Sequence, residues 1–230
     1  MSVIVTIFVI FVIPCAALVC ALIKREGYPF LLGIAAFTVS QILIRIPLIN
    51  YISTNNPSFY MMQATQTILM LALLSFSAGI FEETARYLAI RYLMKKRTVK
   101  KAIFFGLGHG GIEAVLLAGI PLLPHIAMMN PVHSITLYLS ATERFLAMVI
   151  HICLSVIVLF SVKQKKINLY ILAIALHGLI NLMITVIATR GQIALTMIVL
   201  AVLTALLVWL TIYFTRRYKE DDKTLNNTTI

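Results

Sequence analysis

Two adjacent carboxylates and an arginine, Glu82-Glu83-Thr84-Ala85-Arg86, stand inside a long apolar run. On a helix Glu82 and Arg86 are i,i+4 neighbours and Glu83 and Arg86 are i,i+3, so the guanidinium can neutralise one carboxylate and leaves the other in surplus. A surplus carboxylate in apolar surroundings suits a general base or proton shuttle; the alternative is a structural ion pair. Further along, His109 and Glu113 share a helix face, as do His177 and Asn181, and Glu143-Arg144 precedes His151 on one stripe. Peptide hydrolysis needs an activated water and a donor for the tetrahedral oxyanion. A surplus Glu with an imidazole supplies the first, and a protonated His or an Asn amide supplies the second. The same inventory offers zinc ligands in His109, Glu113, His151 and His177. HExxH is absent, so the sequence favours water activation without a metal, with zinc as the alternative.

These groups need elements that hold them inside a membrane. The 230 residues are 61% apolar and 12% charged, with mean hydropathy +0.99. Apolar runs of about 20 residues recur, each long enough to span a bilayer. The chain reads as an all-α, polytopic membrane helix bundle of about seven spans. They are placed at about 2–23, 29–49, 60–94, 102–120, 138–162, 167–188 and 192–214. Residues 1–215 form one transmembrane domain, and 216–230 a short polar cytoplasmic tail expected to be disordered. The first run lacks a preceding basic region and is read as a retained span.

The net charge of +11 comes from basic residues in short loops, chiefly Lys95, Lys96, Arg97, Lys100, Lys101 and Lys163, Lys165, Lys166. That pattern marks cytoplasmic loops and speaks against nucleic acid as a partner. It puts the N-terminus outside and the C-terminus in the cytoplasm. Loops at 50–58 and 121–137 are expected outside, the second broken by Pro121, Pro124 and Pro131. Cys15, Cys20 and Cys153 lie in apolar runs and indicate neither disulfide nor thiolate site. His125 and His133 receive no role.

Counting along the helices from the basic loops sets depth. At about 1.5 Å per residue, Glu82 and Glu83 lie about 18–20 Å from Lys95, and His109 and Glu113 about 12 and 18 Å from Lys101. His151 lies about 18 Å from Lys163, and His177 about 16 Å from Lys166. Four helices thus bring ionisable groups to one level, where polar groups must face protein or a wet cavity. The expected cavity opens toward the basic loops, whose rim would attract anionic lipid headgroups. Gly106, Gly108, Gly110 and Gly111 fit either close helix packing, by GxxxG spacing, or the approach of a substrate backbone. The formal GxGxxG match has no βαβ context and is set aside.

Taken in order, Glu82-Glu83-x-x-Arg86, Phe105-x-x-x-His109 and His177-x-x-x-Asn181 resemble the motif set of the CPBP intramembrane protease superfamily. That group holds the CAAX prenyl endopeptidases, bacteriocin-processing enzymes and PrsW-like proteases. Gly-His-Gly-Gly-x-Glu and Glu143-Arg144 ahead of His151 resemble its YhfC-type bacterial branch. The likeness covers about 68–183. It implies a multi-pass protease of the bacterial cell membrane that cuts a peptide or membrane-protein substrate. Carried over by motif, Glu82 activates water, Glu83 is held by Arg86, His109 positions the water, and His177 with Asn181 forms the oxyanion site. Two residues separate Glu83 from Arg86 where the prenyl endopeptidases usually have three between Glu and Arg. Glu113 and His151 have no counterpart in the minimal pattern. A non-enzymatic carrier or scaffold is the remaining alternative.

Overall fold

The computed structural model describes residues 1–128 and 133–227, with no strand among them. Seven helices are long and apolar enough to cross a membrane. They are α1 (Ser2–Ile23), α2 (Gly27–Asn55), α4 (Thr67–Leu93), α5 (Val99–Ile126), α6 (Ser134–Lys163), α7 (Ile167–Ala188) and α8, whose spanning part is Ile193–Tyr218. A short helix, α3 (Pro57–Thr65), sits between α2 and α4. It starts at Asn56, whose side chain accepts from the Phe59 amide, and because α2 itself runs on to Asn55 little remains of the loop expected at 50–58. The last helix runs on to Asn227, through most of the segment read as a disordered tail.

The prolines correct a second expectation. Pro121 and Pro124 lie within the helical stretch Ile120–Ala127, where a loop was expected, whereas Pro131 lies outside the described residues. A proline ring inside a helix collides with the carbonyl four residues back. Here Pro14, Pro47 and Pro121 each follow a π-helical stretch, at Phe8–Val12, Thr38–Arg45 and Val115–Gly119. The wider π turn takes in the carbonyl at position −4 in each case, so the helix absorbs the proline instead of ending.

Helix α6 is the central post. Every residue from Cys153 to Ser161 is buried, including Leu154, Ile157, Val158 and Leu159 at 0% exposure. Helix α5 packs between α2 and α6 through glycines. A Cβ on Gly33 would overlap the Phe105 carbonyl, and one on Gly108 the Phe30 carbonyl, so α2 and α5 touch backbone to backbone. A Cβ on Gly106 would lie 2.7 Å from the His151 carbonyl oxygen, and one on Gly110 2.9 Å from Met148 Cα. Gly111 faces Pro14 of α1. The glycine run therefore serves helix packing, and none of its members is left open to a substrate backbone. On α4, Gly79 does the same work against Ile174 and Gly178 of α7.

Candidate active site

The close α4–α7 and α5–α6 crossings bring the polar side chains of four helices to one place. Glu83 and Arg86 are fully buried and paired with each other. Arg86 Nη2 also lies 2.9 Å from His151 Nδ1, and His177 Nδ1 lies 2.8 Å from Glu83 Oε1. Glu83 is thus held from two sides. Its neighbour Glu82 points elsewhere: Oε2 is 2.9 Å from His109 Nε2, and Oε1 accepts from the Gln41 amide of α2. His177 Nε2 stands 3.9 Å from Glu82 Oε2. The His109 and His151 rings are 4.6 Å apart, and His151 and His177 5.5 Å.

A second group of charges adjoins on α5 and α6. Arg144 donates to Glu113 Oε1 at 3.0 Å and to Glu143, and His151 Nε2 lies 2.5 Å from Glu113 Oε2. All ten residues singled out in the sequence stand in or beside this assembly. Asn181, one turn beyond His177, lines the two cavities described next.

One cavity, of about 230 Å³, is walled by Glu82, Glu113, Arg144, Ala147, His177 and Asn181 among others. The other, of about 260 Å³, touches Gln41, Arg45, Leu74, Glu82, Leu117 and Thr185. On every helix these linings continue from the His/Glu cluster away from the basic loops. The cavities therefore lie on the side of the cluster away from Lys95–Lys101 and Lys163–Lys166, whereas the expected cavity opens toward those loops. On α6 every residue from Cys153 to Ser161, next toward the basic end, is buried, so the helix is closely packed there.

Gln41 and Arg45 belong to the site and were not singled out. Arg45 donates to Gln41 Oε1 at 3.0 Å, to Ser77 Oγ at 3.0 Å and to the Leu74 carbonyl at 2.6 Å. Since Arg only donates, it fixes the Gln41 amide with its NH₂ toward Glu82. Both residues lie in the π-helical stretch of α2, a feature often found at functional sites. Their i,i+4 spacing inside an apolar run was the available signal.

Glu82, His109, Glu113 and His151 each offer a ligand atom, and these atoms all lie within 4.8 Å of one another. Relative to the ligand set expected from the sequence, Glu82 takes the place of His177. His109 Nδ1 and Glu113 Oε2 are buried without a hydrogen bond, the second despite His151 Nε2 beside it. Two histidines with carboxylates suit zinc, so the donor set fits such an ion. Arg86 sets one condition. Its donation to Nδ1 leaves the proton of a neutral His151 ring on Nε2, so for His151 to hold an ion through Nε2 the Arg86 contact would have to give way.

Seven helices long and apolar enough to cross a membrane thus surround a buried Glu/His cluster, an arrangement that defines a polytopic membrane protein with an intramembrane polar site. The model of the YhfC intramembrane metalloprotease family matches residues 8–137 and 126–204, so the chain belongs to that family. The uncharacterized membrane protein YhfC of Bacillus subtilis (strain 168) is 31% identical over 131 residues, 44% of this chain and 51% of the relative. The match thus spans about half the length of that relative. No solved structure matches. The family's description as metalloproteases, with the ligand cluster, leaves the preference for a metal-free site unsupported.

Proposed function

We propose that the chain is a zinc-dependent intramembrane endopeptidase, cutting a membrane-protein or peptide segment that enters from the side away from the basic loops. The observation that carries this reading is the group of four donor residues with ligand atoms within 4.8 Å at the head of two cavities. Catalytic zinc sites use three protein ligands and keep one position open, and His109, His151 and Glu113 would hold the ion. Bound there, zinc supplies Lewis acidity, which acidifies water and polarises the scissile carbonyl.

The remaining groups handle protons and geometry. Glu82 takes the proton from the attacking water, since Gln41 holds one oxygen and it borders both cavities. His177, fixed through Nδ1 by Glu83, keeps Nε2 toward the cavity and delivers a proton to the leaving amine. Asn181 donates its amide to the developing oxyanion. Arg86 neutralises Glu83, which keeps that carboxylate a support for His177 and not a second base. Glu143 and Arg144 fix Glu113.

Elemental analysis of purified protein, paired with a peptide-library cleavage assay, tests the proposal. The expected result is close to one zinc per chain, lost in His109→Ala and His151→Ala, with cleavage abolished by chelation and restored by zinc. Cleavage that resists chelators, with zinc far below one per chain, returns the mechanism to a metal-free glutamate. Neither zinc nor cleavage leaves a structural polar cluster.

A further inference from the structure

A cavity larger than either of those beside the Glu/His cluster lies on another face of α4. A groove of about 620 Å³ runs between α2 and α4, walled almost wholly by apolar side chains from Leu32 to Ile44 and from Ile80 to Leu93. None of its walls belongs to the Glu/His cluster. Toward the basic end a second cavity, of about 420 Å³, is lined by Tyr87, Arg91, Arg97 and Lys165, and Tyr92 borders both. Tyr28 donates its hydroxyl to the Leu93 carbonyl at 3.1 Å and ties the two groove walls there.

Both the shape and the charge of this pair of cavities select an occupant. From Ile80 to Leu93 a helix rises about 20 Å, so the groove is long for its volume, and its apolar lining suits an extended hydrocarbon chain. Among the described residues the Arg91 guanidinium meets the Tyr87 hydroxyl, at 2.6 Å, and the Tyr87 and Tyr92 rings. Arg97 donates to the Ile90 and Arg91 carbonyls at the end of α4. None of Arg91, Arg97 and Lys165 forms an ion pair with a described carboxylate. Three cations thus line a cavity that shares Tyr92 with the apolar groove. Basic pockets between spans on the cytoplasmic side are suited to anionic lipid headgroups.

We propose that groove and basic pocket together bind one anionic phospholipid, an acyl chain lying between α2 and α4 and the phosphate beside Arg91, Arg97 and Lys165. This goes beyond the protease reading and does not depend on it. The test offers detergent-purified, delipidated protein an equal mixture of phosphatidylglycerol and phosphatidylcholine and counts bound lipid by native mass spectrometry. Wild type should hold one phosphatidylglycerol in preference to phosphatidylcholine by about tenfold or more. The exposed-site double variant Arg91→Ala/Lys165→Ala should lose that preference. Ala35→Trp, which fills the groove, should reduce both lipids; a monodisperse elution profile confirms that either variant is folded. Equal retention of the two lipids by wild type overturns the proposal, as does retention unchanged in both variants. Displacement of the lipid by an apolar transmembrane peptide also overturns it, and assigns the groove to a polypeptide.

Discussion

The two halves of α6 are built differently. From Cys153 to Ser161 the helix is buried on all sides, whereas from Ser134 to Ile152 only Leu137, Ala141, Met148, Ile150 and His151 are buried. On α6 the stretch from Cys153 to Ser161 is therefore a closely packed support, and the half before it borders a cavity at Glu143, Arg144 and Ala147. The His/Glu cluster sits where one gives way to the other. A site that must be rigid and yet admit water gains from that placement: the glycine-tight crossings hold the helices of His109, His151 and His177, and His151 and His177 line a cavity with Glu82 while His109 stays fully buried.

The largest expected effect is chemical and leaves both halves standing. Glu82→Gln removes the proton acceptor but keeps the shape, and cleavage should fall by about 10²–10⁴-fold. Thermal stability in detergent should hold, because an amide is cheaper than a carboxylate in the membrane. Glu83→Gln should lower activity through His177 and also lower stability, since Arg86 then loses its buried counter-charge. If both variants cleave at the wild-type rate, the cluster is structural and the contrast between the halves has no catalytic meaning.

A smaller, purely mechanical effect belongs to the closely packed half. Gly108→Ala pushes a methyl into the Phe30 carbonyl and should cost about 1–3 kcal/mol in a denaturant titration, through strain between α2 and α5. Ile157→Val, in the fully buried stretch, should cost about 0.5–1.5 kcal/mol and leave the turnover of folded protein unchanged. Equal losses from equivalent truncations at Ile184, on the cavity side, would show that both halves are packed alike.

Much of this was legible in the sequence. Basic loops and apolar runs place the seven spans, and spacing along helices brings Glu82, His109, His151 and His177 to one depth. Depth alone does not say which side of that level is hollow. That depends on whether neighbouring helices carry filling side chains, such as Leu154, Ile157 and Phe160, or polar and small ones such as Asn181, Thr185 and Ala147. Gln41 and Arg45 escaped notice because an isolated polar pair near a span end reads as a boundary, and only the fold carries it beside Glu82. The prolines misled because the rule that they break helices assumes a regular α turn, and three π turns remove that assumption.

The last prediction perturbs the protein least and bears most directly on the contrast. In a background with Cys15, Cys20 and Cys153 replaced, single cysteines are placed at Ala147, Leu117 and Thr185, which line the cavities, and at Ala102 and Ser155, which are fully buried toward the basic loops. Each substitution exchanges a small or peripheral group for a thiol, so stability should stay within about 1 kcal/mol for the cavity positions. In sealed vesicles a membrane-impermeant thiol reagent should modify the cavity positions from the side opposite Lys95–Lys101, at rates well above those at Ala102 and Ser155. Backbone and polar groups at this depth are tolerated where they line a wet cavity, and water that reaches Glu82 brings the reagent with it. Reaction from the basic side alone would reverse the direction of access and put the substrate's entry in the cytoplasm. Equal labelling at Ser155 and Thr185 would mean that the packed half also admits water, and the boundary that holds the cluster would lie somewhere other than His151.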